Sequence, residues 1–440
     1  MACSKVLNQM LKEDRISELP DPLICQILTH LPAKDTVRTS VLSTRWRSLW
    51  LWVPSLVLSS RDFSDFNAFA SFGDRFFDSD RVSCLDKLEL DIIGNEDKSY
   101  IISWIEAAVK RKVQHLCVRC HIRRCYPEMP VSLYVCGTLV SLNLVFVTLD
   151  DVEFVSFPRL KTMHLLCVRL SKDATFERFI SCCPVLEDLR ISGCVNAPQP
   201  LRVHSRSLKR LYIGDCYSTL VDSVPGVVID APQLCCLSIM DNKSKSFIIN
   251  NLEYGGELEV YVTFGLEVSD EASFLSGRGL IRSFLSGILK VGDLTIYADT
   301  FKMIYNYSKS ESLPQFSFMS RLSVIFYPQD LKWLATFLES CPNLKSLVVG
   351  LFEYYHYEEL HSEEMNKIKC LQSSLEFVDF KLFSGHVAEM KLVRCFLENC
   401  AILKKLTLHL KSKSTEDEIV KTLLEIPRAS TTCEVVIVKE

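Results

Sequence analysis

A short apolar template, L-x-x-L-x-[LIV], recurs along the chain and restricts the fold more than any other feature. Copies begin at Leu85, Val113, Leu139, Leu160, Leu186, Leu208, Leu234, Val291, Met319, Leu344, Leu375 and Leu403. Successive gaps up to Leu234 are 28, 26, 21, 26, 22 and 26 residues, and after Val291 they are 28, 25, 31 and 28. A weaker copy, GGELEV from Gly255, partly fills the longer gap between. Three longer segments align as Cys183-Leu186-Leu189-Ile191, Cys341-Leu344-Leu347-Val349 and Cys400-Leu403-Leu406-Leu408. The L-x-L alternation is a short strand with one buried face, and the first Leu turns into the same core. Helical stretches precede several strands. DLKWLATFLES puts Leu331, Leu334 and Leu338 on one face, and EMKLVRCFLEN does so with Leu392, Val393, Phe396 and Leu397. Stacked units of this kind predict an α/β solenoid with a parallel sheet on its concave side.

The spacing is that of leucine-rich repeats, with a period of roughly 20–29 residues and some irregular members. Residues between the buried strand positions then point to the concave surface. The candidate substrate-contacting positions are Lys87, Glu89, Asp91, His115, Arg119, His164, Asp188, Arg190, Arg210, Tyr212, Asp293 and Tyr297. Cys117, Thr162 and Thr295 share that side. Few surface positions ever carry most of a binding energy, so the bulk of these are solvated by default.

Residues 14–53 predict three short helices. In ELPDPLICQILTHLP, Asp21 reads as an N-cap and Pro22 as the first helical residue. Leu23, Ile24, Ile27, Leu28 and Leu31 form one wide apolar stripe, which Pro32 ends. Asp35 reads as the cap of a second helix carrying Val37 and Val41. Ser43 reads as the cap of a third, with Leu42, Trp46, Leu49, Trp50 and Val53 as its stripe. The stretch STRWRSLWLW holds three of the five tryptophans in the sequence. Arg45 and Arg47 fall off the stripe and face water or acidic groups, and Trp52 is expected to join these helices to the first repeat. Three helices this short cannot bury so much apolar surface among themselves, so part of it docks on the next domain or on a partner.

The run DRISELPDPLICQILTHLPAKDTVRTSVLSTRWRSLWLWVP resembles the plant F-box nearly throughout. The stretches LQSSLEFVDFKLFSGHVAEMKLVRCFLENCAILKKLTLHL and IPRASTTCEVVIV resemble the FBD region of plant F-box proteins. The resemblance implies a flexible N-terminus (1–13), an F-box (14–58), leucine-rich repeats (80–355) and an FBD region (356–440) that continues and caps the repeats. It also implies a non-catalytic substrate-receptor subunit of an SCF-type cullin–RING ubiquitin ligase. Such a subunit docks a Skp-type adaptor, and through it a cullin and a RING protein, while its repeats hold a protein substrate. By that analogy the adaptor-facing set is Leu19, Pro20, Leu23, Ile24, Ile27, Leu28, Leu31, Pro32, Val37, Val41, Trp46 and Trp50. Two alternatives stay open: a repeat scaffold unrelated to ubiquitin, and a small-molecule-gated receptor of the hormone-sensing F-box kind.

Composition excludes other classes. Net charge is −4 over 440 residues, so no global field favours nucleic acid. The polar start MACSKVLNQMLKEDRISELP lacks a secretory pattern, and the 19 cysteines then read as mostly free, buried thiols in the nucleus or cytoplasm. The uncharged run from Met129 to Leu149 contains Pro130, Gly137 and Asn143 and fits the repeat better than a membrane span. CVRCHIRRC carries Cys117, Cys120, His121 and Cys125 with haem- or zinc-like spacing, but no second ligand pair stands nearby. Lys110, Arg111, Lys112, Arg119, Arg123 and Arg124 form a basic cluster, by default a solvated face with a phosphate site as the alternative. No phosphate-binding glycine loop, G-x-S-x-G or H-E-x-x-H occurs, so no catalytic residue, cofactor or metal is expected.

Overall fold

Each copy of the template is a β-strand whose Leu-x-Leu residues enter the interior. The computed structural model describes residues 16, 18–79, 84–94, 99–121, 126–170, 174–193, 200–214, 226–266, 271–327, 332–351, 368–411 and 416–439. The expected flexible segment 1–13 lies outside these residues. They fall into two compact units, one ending at Leu186 and one beginning at Glu187.

The first unit opens with helices α1 (Asp21–Leu28) and α2 (Ala33–Arg38), then 3-10 turns at Thr39–Val41 and Trp46–Trp52. Strand β1 (Ser55–Ser59), helix α3 (Phe66–Phe77), β2 (Lys87–Ile93), α4 (Ser99–Lys110) and β3 (His115–His121) follow. After them come β4 (Ser141–Val145), β5 (Thr148–Leu149), β6 (Thr162–Leu166), β7 (Arg169–Leu170) and α5 (Ala174–Ser181). Strands β1, β2, β3, β4 and β6 pair in that order, all parallel. One-to-one register lines up Leu56, Leu88, Leu116, Leu142 and Met163 as one ladder, and Leu58, Leu90, Val118, Leu144 and Leu165 as the next. Every rung is buried. Full burial of such a side chain contributes about 1.5–3 kcal/mol, so neighbouring strands stabilise one another rung by rung.

The second unit holds β8 (Asp188–Ser192), β9 (Leu201–His204), β10 (Arg210–Gly214), β11 (Val227–Asp230), β12 (Cys236–Asp241), β13 (Phe247–Asn250) and β14 (Glu257–Val262). Helix α6 (Glu271–Gly287), β15 (Asp293–Tyr297), α7 (Ala298–Ser308), β16 (Arg321–Phe326), α8 (Lys332–Glu339) and β17 (Ser346–Leu351) continue it. It ends with α9 (Lys369–Ser373), β18 (Phe377–Phe383), α10 (Val387–Asn399), β19 (Lys405–Leu410), α11 (Glu416–Leu424) and β20 (Glu434–Lys439). Its main sheet runs β8, β10, β12, β14 and then β15 through β20 in sequence order, and every pairing is parallel. Leu189, Leu211, Leu237, Leu258, Leu294, Leu322, Leu347, Val378, Leu406 and Val435 form its central ladder. The weak GGELEV copy is a full member, as β14.

The two quoted helical stretches are α8 and α10. Leu334, Leu338, Leu392, Val393, Phe396 and Leu397 are buried as the periodicity predicts, and Leu331 lies outside the described residues. Between β8 and β14 the described residues include no helix. A second parallel sheet, β9-β11-β13, stands there instead. LRVH, VVID and FIIN are short and rich in β-branched residues, and they bury Val203, Val227, Ile229, Phe247 and Ile249 with a period of two. The uncharged run from Met129 folds as a 3-10 turn (Val131–Val135) and the strands β4 and β5. Among the described residues no helix is long and apolar enough to cross a membrane.

Gly73 sets how closely α3 approaches α4. A Cβ there would lie 2.1 Å from Trp104 Cζ2. Trp104 is 1% exposed, its Nε1 donates to Asp74 Oδ1 at 2.9 Å, and Phe77 stacks on its ring. No far end of a flexible side chain is available to yield, because the fully buried indole is held from both sides. Gly73→Ala is therefore expected to destabilise the protein by more than about 2 kcal/mol, read as a lowered melting temperature, although alanine is the better helix former.

Candidate functional site

The N-terminal helices carry apolar residues almost all round α1, and the fold covers only one side of it. Ile24, Cys25 and Leu28 pack with Trp46, Leu49, Val53 and the half-buried Leu19 into one core. Leu23, Ile27 and Leu31 recur every four residues on the opposite side and stay 47, 46 and 42% exposed. Val41 and Leu42 add 86 and 64% exposed side chains, so Leu42 stands outside the buried stripe expected for it. Pro20 and Pro32 are also exposed, and Val37 is half-buried. Ile24, Leu28, Trp46 and Trp50 are thus a correction to the expected adaptor-facing set. They are buried within the protein itself and out of a partner's reach in this conformation.

The helix starts also differ from expectation. Pro20 and Pro32, in extended backbone, are the N-caps of α1 and α2, while Asp21 and Asp35 lie inside the first turn. Each proline presets φ and lacks an N–H, so it ends the preceding segment and starts the helix without a side-chain cap. Thr36 Oγ1 donates to the Leu28 and Pro32 carbonyls at 3.2 and 3.1 Å, pinning the corner between the helices. The third element is the 3-10 turn Trp46–Trp52 rather than an α-helix capped by Ser43. Arg45 Nε donates to Asp21 Oδ1 at 2.8 Å, as expected for a cation off the stripe.

Trp50, and not Trp52, joins this module to the repeats. Its ring stacks on Phe72 of α3 at 5.2 Å, lies 6.4 Å from Phe76, and carries the Arg75 guanidinium 5.7 Å from its centroid. Trp52 remains 45% exposed.

The outward strand residues form distinct clusters. In the first unit Arg119 Nη1 donates to Glu89 Oε1 at 2.7 Å, and Lys87 Nζ stands 3.1 Å from Oε2. Lys87, Glu89, His115 and Arg119 line one open hollow of about 320 Å³, together with Cys117, Ser141 and Asn143. Asp91 stands on the same face of β2, with His121 Nε2 3.5 Å from its Oδ1. His164, in register with Asn143, does not line the hollow. In the second unit Arg210 Nε donates to Asp188 Oδ2 at 2.9 Å, and Arg190 Nε is 3.8 Å from Oδ1. Tyr297 Oη donates to Glu259 Oε1 at 2.6 Å, and Ser238 donates to Oε2 at 2.9 Å. Tyr212 is half-buried in register with Ser238, and Asp293 Oδ2 pairs with Arg321 Nε at 3.6 Å. Ser141, Asn143 and Glu259 do not belong to the residues expected from the sequence. Their signal is the same alternation, in copies such as LVSLNL and GGELEV that carry no charge or diverge from the template.

Electrostatics follow these contacts. Burial works against the charge of Glu89, but the bonds from Lys87 and Arg119 outweigh it and hold the carboxyl below the usual glutamate range. Burial, with the like charge of Glu257, pushes Asp293 up against the pull of Arg321. Burial and then the bond to Glu259 push the Tyr297 hydroxyl up to about 12. Burial also raises Cys117, takes Cys183 and Cys370 up to about 12 and Cys395 to about 11, which leaves these thiols protonated and weakly nucleophilic near neutrality.

Other sequence features resolve into packing. Leu116 and Val118 are buried and Cys117 faces outward, while Cys125 lies outside the described residues. Among the described residues no group of three or more His, Cys, Asp or Glu could hold a metal ion. Cys183 is buried at its repeat position, but Cys235 is exposed and Cys182 and Cys236 are only half-buried, apart from the mostly buried thiols expected from the sequence. Arg111 Nη2 donates to the Phe77 and Ser79 carbonyls at 2.7 and 2.8 Å, so it closes the end of α3 rather than serving a phosphate. Arg123 and Arg124 lie outside the described residues.

The depressed Glu89 carboxyl has a pH consequence. A carboxyl held low in the folded state contributes stability above the ordinary carboxylate range, and that part is lost as pH falls through the folded value. Wild type is expected to lose stability faster than Glu89→Gln below about pH 5, as urea unfolding at stepped pH would show.

Comparison with known proteins matches this architecture. The F-box domain model covers residues 16–58, the model for the LRR repeats of FBD-associated F-box protein At5g56370 covers 101–252, and the FBD model covers 364–408. The Arabidopsis thaliana protein named putative FBD-associated F-box protein At5g53635 is 56% identical over 435 residues, 96% of this protein and 100% of the relative. Putative F-box/FBD/LRR-repeat protein At2g05300 of the same plant is 50% identical over 444 residues, 99% of this protein and 100% of that one. F-box/FBD/LRR-repeat protein At5g22660, again from Arabidopsis thaliana, is 44% identical over 441 residues and 97% of each sequence. Identity of this degree across nearly the whole length places the protein in the F-box/FBD/LRR-repeat family.

Proposed function

We propose that this protein is the substrate-receptor subunit of an SCF-type cullin–RING ubiquitin ligase, acting in the nucleus or cytoplasm. The observation that carries the proposal is the row Leu23, Ile27 and Leu31, left exposed beside Pro20, Pro32, Val41 and Leu42. A helix this apolar on both sides gains nothing from exposing the second one in water. A Skp-type adaptor laid on that row would cover it and connect the protein to a cullin and a RING protein.

The repeats then hold a protein substrate through outward strand residues, such as Glu89 and Arg119 in the first unit or Arg210 and Tyr297 in the second. The receptor contributes proximity. It raises the effective concentration of substrate lysines near a ubiquitin-loaded enzyme and performs no bond chemistry itself. Membership of the F-box/FBD/LRR-repeat family supports reading the protein as a non-catalytic subunit.

Two variants separate docking from folding. Ile27→Asp with Leu31→Asp changes exposed side chains only, so thermal melting should shift within about 0.5 kcal/mol while co-purification with a Skp-type adaptor is lost. Leu28→Ala empties a core position that is 1% exposed and should cost about 2–5 kcal/mol. If the double variant folds and retains the adaptor as wild type does, the docking surface is wrong.

A further inference from the structure

The hollow on the face of β2, β3 and β4 carries hydrogen-bond donors that the fold itself does not fill. Its volume, about 320 Å³, lies at the lower end of the range for ligand clefts, roughly 300–1,000 Å³. Inside it two cations, Lys87 and Arg119, share the single carboxylate of Glu89. Asp91, the next acid on the same face, stands in register with Arg119 and attracts its charge, but it is not part of the lining. Arg119 meets Glu89 through Nη1 alone. Among the described residues its Nε and Nη2 hydrogens have no acceptor, and together they form the second, side-on fork of the guanidinium. That planar fork matches a carboxylate with two parallel hydrogen bonds. The Nζ group of Lys87 keeps further donors, and the Asn143 amide adds a neutral one.

We infer that this hollow receives a carboxylate presented by an extended segment of the protein substrate, held by the side-on fork of Arg119 and by Lys87. The inference rests on the reading of the repeats as the substrate-holding part. A carboxylate accepts from the side-on fork and from the Lys87 ammonium, whereas a lysine or arginine side chain offers these donors no acceptor and is rejected. The carboxylate belongs either to an internal Asp or Glu or to the C-terminus of the substrate. The two share the chemistry and differ in the test.

An array of short random peptides, made with free or amidated C-termini, is probed with the full-length protein and its variants. Binders are expected to share an acidic residue at one position, or to require the free C-terminus, which identifies the source. Arg119→Gln and Lys87→Gln should each weaken those binders by about tenfold, the scale of a lost charge-assisted bond. Glu89→Gln removes the competing carboxylate and should tighten them, a gain that a merely structural role would not produce. Circular dichroism checks that all three variants stay folded. Binders without acidic preference, binders held equally by Arg119→Gln, or no binders at all overturn the inference. Adaptor co-purification is read in parallel: an adaptor retained alongside any of these outcomes sinks the hollow alone. A wild-type protein that never takes an adaptor sinks the reading beneath it.

Discussion

Parallel, in-register stacking of one apolar ladder holds each unit together. A rung such as Leu294 is buried because Leu258 and Leu322 flank it on the neighbouring strands. In a stack of this kind every repeat depends on its two neighbours and on little else. The outward residues inherit the same register. Glu89 stands one strand from Cys117, and Arg119 faces Asp91 across the same step, so the ladder that makes the core also arranges the polar face. Among the described residues the final strand, β20, pairs on one side, and its Val435 and Ile437 are half-buried where earlier rungs are fully covered.

The N-terminal head obeys a different constraint. It is too small to enclose its own apolar residues, and it resolves the excess in two directions. One side of α1 closes over Trp46 and Leu49, and Trp50 reaches out to Phe72 and Phe76. The aromatic stack makes the head part of the first unit rather than a bead on a linker. The remaining apolar row has no cover among the described residues. Such an uncovered row is what a docking module presents when seen without its partner.

Much of this was legible because its causes are local. All twelve template copies and the weak one at Gly255 are strands, since an L-x-L alternation has one stable way to bury its apolar side. The helices α8 and α10 were readable from the 3.6 period. Strand β1 carries the same template, VPSLVL from Val53, but Val53 also ends the apolar stripe of the preceding segment, which hides the copy. The strands β9, β11 and β13 are not legible in the sequence, because stretches of four residues carry too little periodicity to separate strand from turn. The caps differ from the sequence expectation because Pro20 and Pro32 do by backbone geometry what an aspartate does with its side chain.

The sequence by itself determined where the strands lie, which of their residues enter the core, and that the first helix is apolar on more than one side. Each of these is a matter of period and neighbouring residues. Only the tertiary structure decided which side of α1 is covered, that Trp50 rather than Trp52 is the joint, and that two cations share Glu89. Those outcomes depend on partners some twenty to thirty positions away, such as Phe72 for Trp50 and Arg119 for Glu89. Folding brings such partners into contact only once the repeats have stacked.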